Sequence, residues 1–388
     1  MMHDLLLQNA HLLDPGRGLD LYGDIAFAGG KVAAIGAGLD HASAGIVRDV
    51  GAALVVPGLI DLHTHVYRDA SAMSVDADLL LRRSGTTTSV DAGTAGAGTI
   101  AGLFSLVAPR TTARILAFVN IGHAGILAAG SSCIMPEAED LRLLNVGACA
   151  EAVCRHAPGI VGIKVRVGAS STGRRAAAPL HMAIRAAEMA AAAVGRFVPV
   201  MVHVGADMPP AIEALLDPLR PGDIFTHCCS PKVNTVIGPG GRAREAAWAA
   251  KRRGVIFDIA HGQGSFGFDT ARRMLDQGLV PDVISSDVHS GCVDGPAFDV
   301  LVTMTKMLAL GMALPDVVHR ATAAPAAAIA RPELGTLVEG GIGDATILRL
   351  EEGRGTLCDS IGGTLPARQV FRLLGTVVSG RAVDATAE

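Results

Sequence analysis

Pro57-Gly58-Leu59-Ile60-Asp61-Leu62-His63-Thr64-His65 is an apolar run that leaves a Pro-Gly turn and ends on two histidines. Side chains two apart on an extended chain share one face, roughly 6–7 Å from each other, so both imidazoles can converge on one ion at the strand tip. Taken alone, the pair is weak evidence, since two such residues are more often simply satisfied by hydrogen bonds. Its meaning comes from the positions that follow it. Lys164, His203, His227 and Asp287 each fall at the end of another strand-like run, in that order. Imidazole and oxygen donors without a thiolate suit Zn²⁺, with Mn²⁺, Co²⁺ or Fe²⁺ as substitutes.

Eight apolar runs bounded by turn residues cover 59–66, 86–92, 113–121, 160–167, 198–204, 223–228, 255–260 and 283–288. Stretches with helical periodicity lie between them, among them 180–194, 242–253, 270–277 and 298–310. Strand then helix, repeated eight times, predicts an α/β fold of the (β/α)8 TIM-like barrel kind. An open doubly wound sheet is the competitor, since counting strands does not establish closure. The ligand candidates favour closure: they come from the first, fourth, fifth, sixth and eighth runs, which meet only when the sheet closes. They also sit at the carboxyl ends of those runs, where barrels of this kind carry their chemistry.

The chain ends read differently. Short alternating segments at 4–7, 24–28 and 31–35 are matched by others at 345–350 and 369–374. Neither end is long enough for a comfortable domain of its own. Residues 1–56 and 335–388 are therefore expected to pair into one composite β-sandwich flanking a catalytic barrel at 57–334.

Composition excludes several classes of function. With 388 residues, 50% of them apolar and 18% charged, the chain can bury a large core. A net charge of -4, with no Lys/Arg run that suggests a nucleic-acid face, speaks against nucleic acid as a partner, leaving a small molecule. Neither an export signal nor a membrane-spanning run is visible. Seven cysteines without CxxC spacing read as reduced thiols of a cytoplasmic protein.

The opening motif, with Gly162-Ile163-Lys164, Val202-His203-Val204, Phe225-Thr226-His227 and Ser286-Asp287, resembles the amidohydrolase superfamily along nearly the whole chain. The stretch from Gly335 to Ala345 is similar to the superfamily's GxLxxGxxAD return to the sandwich. Ile163 to Arg166, Thr226 to Cys228 and Phe257 to Gly262 look most like the deacetylase-like branch related to dihydroorotases. That resemblance implies a binuclear centre. His63, His65, Lys164 and Asp287 would hold one ion, and Lys164, His203 and His227 the other, with Lys164 carboxylated by CO₂ to a bridging carbamate. Apolar neighbours Ile163, Val165 and Val167 favour the neutral amine that reacts with CO₂.

A hydroxide shared by two ions is a nucleophile near neutral pH, and its proton must reach the leaving group. Asp287, the only acid at the end of the eighth run, is placed for that transfer. Deaminases of this superfamily carry a Glu shortly after the fifth-strand His, whereas Val204-Gly205-Ala206-Asp207 follows His203. Arg166 shares a strand face with Lys164 and can either clamp a substrate carboxylate or pair with an acid at the rim. His123, His261 and His289 are candidates for contact with the substrate or with the groups that hold the site, with a backbone-bonded rim histidine as the plain alternative. The glycine-rich 93–98 loop could offer N–H groups to an anion, and Cys228 and Cys229 read as core or rim thiols. The expected activity is metal-dependent deacylation of a small acylated carboxylate, such as an N-acyl amino acid or O-acyl hydroxy acid. A dihydroorotase-like cyclic amidase is the alternative, and a non-catalytic scaffold a third. The number of subunits is open, a homo-oligomer included.

Overall fold

The computed structural model describes residues 2–126, 135–206 and 210–385. Seven parallel strands follow one another in sequence order: Leu59–Thr64, Thr86–Gly96, Arg114–Asn120, Ile160–Val167, Val200–Val204, Ile224–Thr226 and Ile256–Asp258. Each is buried at all or all but one of its positions, as expected of strands with side-chain core on one face and helices on the other. The helices Ala178–Val194, Glu245–Arg253, Phe268–Asp276 and Val300–Ala309 fall within a few residues of the four periodic stretches.

The eighth run closes the barrel. Parallel bridges join Asp258 to Val283 on one side and Thr64 to Val288 on the other. The Asp287 N–H donates to His63 O at 2.7 Å, and the His65 N–H to Val288 O at 3.0 Å. Isolated bridges replace a regular strand here because the ladder is interrupted by a side chain. The Ser286 N–H donates at 3.0 Å to the buried Asp61 carboxylate rather than to a neighbouring carbonyl, and the Ser286 hydroxyl donates to the other Asp61 oxygen. Asp287 then takes φ = 49°, which turns it out of strand geometry.

Strands from both chain ends share an eight-stranded sheet. His3–Asp14 bends at Asn9, which has φ = 56° and lies within a register shift between Leu7 and Ala10. Its first half pairs with Ala44–Asp49, its second with Leu54–Val55, so the sheet folds over its own core of Leu5, Leu7, Leu12, Phe27, Val55, Ile347 and Val377. Leu54–Pro57 hands the sheet on to Ala345–Glu352 and the strands after it. Thr346 Oγ1 stitches this layer to the barrel, accepting from the Leu59 N–H and donating to Gly85 O. No helix among the described residues is long and apolar enough to cross a membrane.

Closure through one carboxylate is testable. Asp61→Ala leaves the two Ser286 donors and the His63 N–H without their acceptor. Each orphaned buried group costs ~1–3 kcal/mol, so a fall of roughly 4 °C or more in Tm is expected. An unchanged thermal or urea midpoint would refute this role for Asp61.

Candidate metal centre

A cavity of about 710 Å³ opens at the carboxyl ends of the barrel strands, and His63, His65, Lys164, His203 and Asp287 line it. His227 adjoins them, its Nε2 lying 2.7 Å from His203 Nδ1. Asp287 Oδ1 is 3.3 Å from Nε2 of both His63 and His65, and Lys164 Nζ is 3.1 Å from His63 Nε2. The structure therefore gathers all six sequence candidates. Side-chain donor atoms of His63, His227 and Asp287 lie within 4.8 Å of one another.

Three of the four rings are aimed by a partner behind them, while His203 Nδ1 meets only His227 Nε2 within the centre. His63 Nδ1 meets Thr226 Oγ1 at 2.9 Å, and Thr226 Oγ1 donates to Asp258 Oδ2 at 2.7 Å. His65 Nδ1 meets Thr94 Oγ1 at 2.7 Å, and the Thr94 N–H is held by Asp91. His227 takes φ = 68° and donates from Nδ1 to Ala260 O at 2.8 Å, which leaves its Nε2 as a lone pair facing the centre. Lys164 reaches the centre past Gly93, where φ is +86° and a Cβ would come within 2.5 Å of Lys164 Cβ.

Burial dominates the electrostatics. It holds His63 and His203 well below the usual imidazole range and His227 at about 4, so these three rings are neutral at neutral pH. It also pulls the Lys164 amine down to about 7, against the opposing charges of Asp287 and Asp258. Burial pushes Asp287 up, but His63, His65 and His227 together outweigh it and keep the carboxyl ionised. Neutral imidazoles, an ionised carboxylate and an amine close to neutrality form a donor set that fits divalent transition ions.

The remaining candidates divide. Arg166 and His289 line the cavity. Arg166 Nε is 3.5 Å from Glu137 Oε1, and both atoms are buried without a hydrogen bond, so its pairing with a rim acid and its access to the cavity coexist. His289 Nδ1 accepts the Gly291 N–H at 3.1 Å, leaving its proton on Nε2, and its ring stands 6.2 Å from that of His65. His261 and His123 do not join the cavity lining. The His261 ring is stacked on Phe266 and bonded to Lys306 Nζ at 2.7 Å, while exposed His123 lies over Gly98. The 93–98 loop uses three of its six N–H groups internally. Its Thr94, Gly96 and Gly98 N–H groups donate to Asp91, Thr99 and His123 within the protein. Cys228 and Cys229 are buried in the core, whereas Cys133 and Asp207 lie outside the described residues.

Thr94, Thr226, Asp258 and Glu137 were not read from the sequence as parts of the site. Thr226 and Asp258 stand in the Thr-His-Cys and Phe-Asp-Ile stretches, beside a ligand and at a strand tip, which is the only signal they give.

A closed barrel with imidazoles, a buried amine and a carboxylate meeting at its strand ends defines a hydrolase of the amidohydrolase type. The comparisons agree. The chain is 30% identical over 386 residues to a deacetylase of Enterococcus faecalis, covering 99% of this chain and 100% of that one. It is 31% identical over 359 residues to a deacetylase of Brucella anthropi, covering 92% and 86%. Among solved structures, an adenine deaminase superposes with a TM-score of 0.90 at 29% identity, over 98% of this chain and 100% of that chain. A dihydroorotase does so with a TM-score of 0.88 at 29% identity, over 98% and 99%. No family model matches the chain. The chain belongs to the amidohydrolase superfamily, in its deacetylase-like branch, and is a hydrolytic enzyme.

The Asp258–Thr226–His63 relay carries a prediction. Thr226→Val keeps the volume and removes the hydroxyl that orients His63. Metal affinity should fall by roughly 10–100-fold in chelator competition, the usual effect of losing such a partner. Affinity equal to the parent's would mean that His63 is aimed by packing alone.

Proposed function

We propose that the protein is a binuclear metal-dependent hydrolase that removes an acyl group from a small carboxylate-bearing substrate, such as an N-acyl amino acid or an O-acyl hydroxy acid. His63, His65, Lys164 and Asp287 would hold one divalent ion, and Lys164, His203 and His227 a second, Zn²⁺ being the natural choice for these donors. A carbamate on Lys164 would supply the shared oxygens. Bound divalent ions would lower the pKa of a water and polarise the scissile carbonyl.

The chain's own residues carry the rest. Ionised Asp287 touches the imidazole edges at 3.3 Å and is the acceptor for the attacking water's proton, which it then returns to the leaving nitrogen or oxygen. Arg166 carries this substrate assignment: a guanidinium that lines the same cavity as Asp287 and Lys164, with its Nε side occupied by Glu137. Its terminal nitrogens bond to no described residue and would take a carboxylate in a two-point clamp. His289, with its proton on Nε2, is a donor to the acyl oxygen or to that carboxylate. The full-length relatives named deacetylases support acyl removal. The dihydroorotase superposition supports the second reading, a cyclic amidase, which would use the same donors on a ring amide.

A panel of N-acyl D- and L-amino acids and O-acyl hydroxy acids, run beside dihydroorotate and adenine, distinguishes these readings. Turnover confined to the acylated carboxylates is expected. Arg166→Met should raise KM for them by about 10–100-fold, since hydrogen bonds to charged groups contribute about 1.5–3 kcal/mol, and leave esters lacking the carboxylate unaffected. Turnover of dihydroorotate alone would sink the deacylase reading.

The centre itself predicts close to two transition-metal ions per chain by elemental analysis, and fewer in Lys164→Ala. CO₂ adds to a neutral amine, and with a pKa of about 7 the neutral fraction of Lys164 grows as pH rises through that value. Bicarbonate-assisted metal uptake by the apo-protein should therefore weaken as pH falls below about 7. Uptake that is insensitive both to bicarbonate and to pH across that range would exclude the carbamate.

A further inference from the structure

Lys306 is a buried amine with no part in the chemistry above. It lies on the Val300–Ala309 helix, and its Nζ donates to acceptors on two different loops, His261 Nε2 at 2.7 Å and Pro296 O at 2.6 Å. Burying an ammonium is strongly unfavourable unless hydrogen bonds replace its water. Burial pulls its pKa down to about 8, with Cys358 and Asp359 opposing, so it stays protonated near neutral pH. His261 is the complementary acceptor. Burial, then the Lys306 charge, lowers it to about 3, and its Nδ1–H donates to Gly262 O at 2.9 Å, so Nε2 offers a lone pair.

Both anchored loops run directly into the cavity. Gln263, Gly264 and Ser265 follow His261, and His289, Ser290 and Gly291 precede Pro296; all six line it. Between His261 and Gln263 sits Gly262. A Cβ there would come within 2.4 Å of Asp287 Oδ2, so the Asp287 carboxylate rests against this backbone. The Gly262 N–H is itself bonded to Ser286 O at 2.8 Å.

We propose that Lys306 is a positioning residue for the hydrolytic site: by tying His261 to the Pro296 carbonyl it fixes the Gly262 backbone behind Asp287 and sets the spacing of two cavity walls. This rests on the hydrolase reading for its kinetic readout, while amide hydrogen exchange tests it independently.

The experiment compares three variants of the full-length, metal-loaded protein. Lys306→Met keeps the bulk and removes the donors, Lys306→Gln retains a donor, and Thr305→Ala serves as a stability control on the same helix. Thr305 Oγ1 bonds Leu301 O and accepts the Phe371 N–H, away from both loops. Lys306→Met should lose about 10–100-fold in kcat/KM, the scale of a small displacement of catalytic groups. It should also speed exchange at 261–265 and 289–298. Lys306→Gln should recover part of both, and Thr305→Ala should lower Tm while changing neither. The proposal is overturned if Lys306→Met only lowers Tm, or if Thr305→Ala at matched Tm reproduces its kinetic and exchange changes. Should Lys306→Met fail to fold, Lys306→Gln against Thr305→Ala decides by the same two measures. Should no panel substrate turn over, the proposed substrate class fails and the exchange pattern alone decides the positioning role.

Discussion

The Asp61 carboxylate, held between the first strand and the closing segment, is the constraint on which the site depends. A seven-stranded parallel sheet without it would leave His63 and His65 on one edge and Asp287 on a separate piece of chain. By accepting both Ser286 donors, Asp61 draws that chain against the first strand. The Asp287 N–H then reaches His63 O. Two candidate ligands more than 220 residues apart thus share one short stretch of hydrogen bonds, anchored by the Asp61–Ser286 contact, which spans 225 residues of sequence. The geometry of the centre is therefore set by backbone bonding first and by side-chain rotamers second.

Desolvation then decides what those groups can do. Moving Lys164 from an ordinary amine to a pKa of about 7 is a cost on the order of 5 kcal/mol against its charged form. The same burial keeps His63, His203 and His227 neutral, so the strand ends present lone pairs where a solvated cluster would present partial positive charge. Asp287 is the exception because the imidazoles around it favour its charge more than burial opposes it. A buried cluster of one anion and several neutral lone pairs is an environment that a cation would stabilise.

How legible this was in the sequence differs from residue to residue. His63, His65, Lys164, His203, His227 and Asp287 could be found because strand-end position and ligand chemistry coincide in a fixed order, and a barrel is the fold that brings such ends together. The seven regular strands and the main helices were legible because burial imposes apolar periodicity. The eighth was legible as an apolar run, but its irregular form was not, since nothing in Ser285-Ser286-Asp287 announces that Ser286 will bond to Asp61. The directions of His123 and His261 were not legible for a related reason. Position after a strand says that a side chain is near the rim, whereas its direction depends on partners far away in sequence, Lys306 for one and Gly98 for the other.

The same reasoning separates the floor of the cavity from its walls. The floor is built from strand ends, where a period of two and a shared barrel geometry leave each side chain few directions. The walls, 263–265, 289–291 and the surroundings of Arg166, are loops whose placement comes from long-range contacts such as Glu137 with Arg166 and Lys306 with His261 and Pro296. Floor chemistry is compatible with cleaving many acyl bonds. The wall presents a guanidinium and an Nε2–H, the groups on which the proposed preference for a carboxylate-bearing molecule rests. Substrate preference in this barrel should therefore follow substitutions in the loops and their anchors, while the capacity to hydrolyse follows the strand ends.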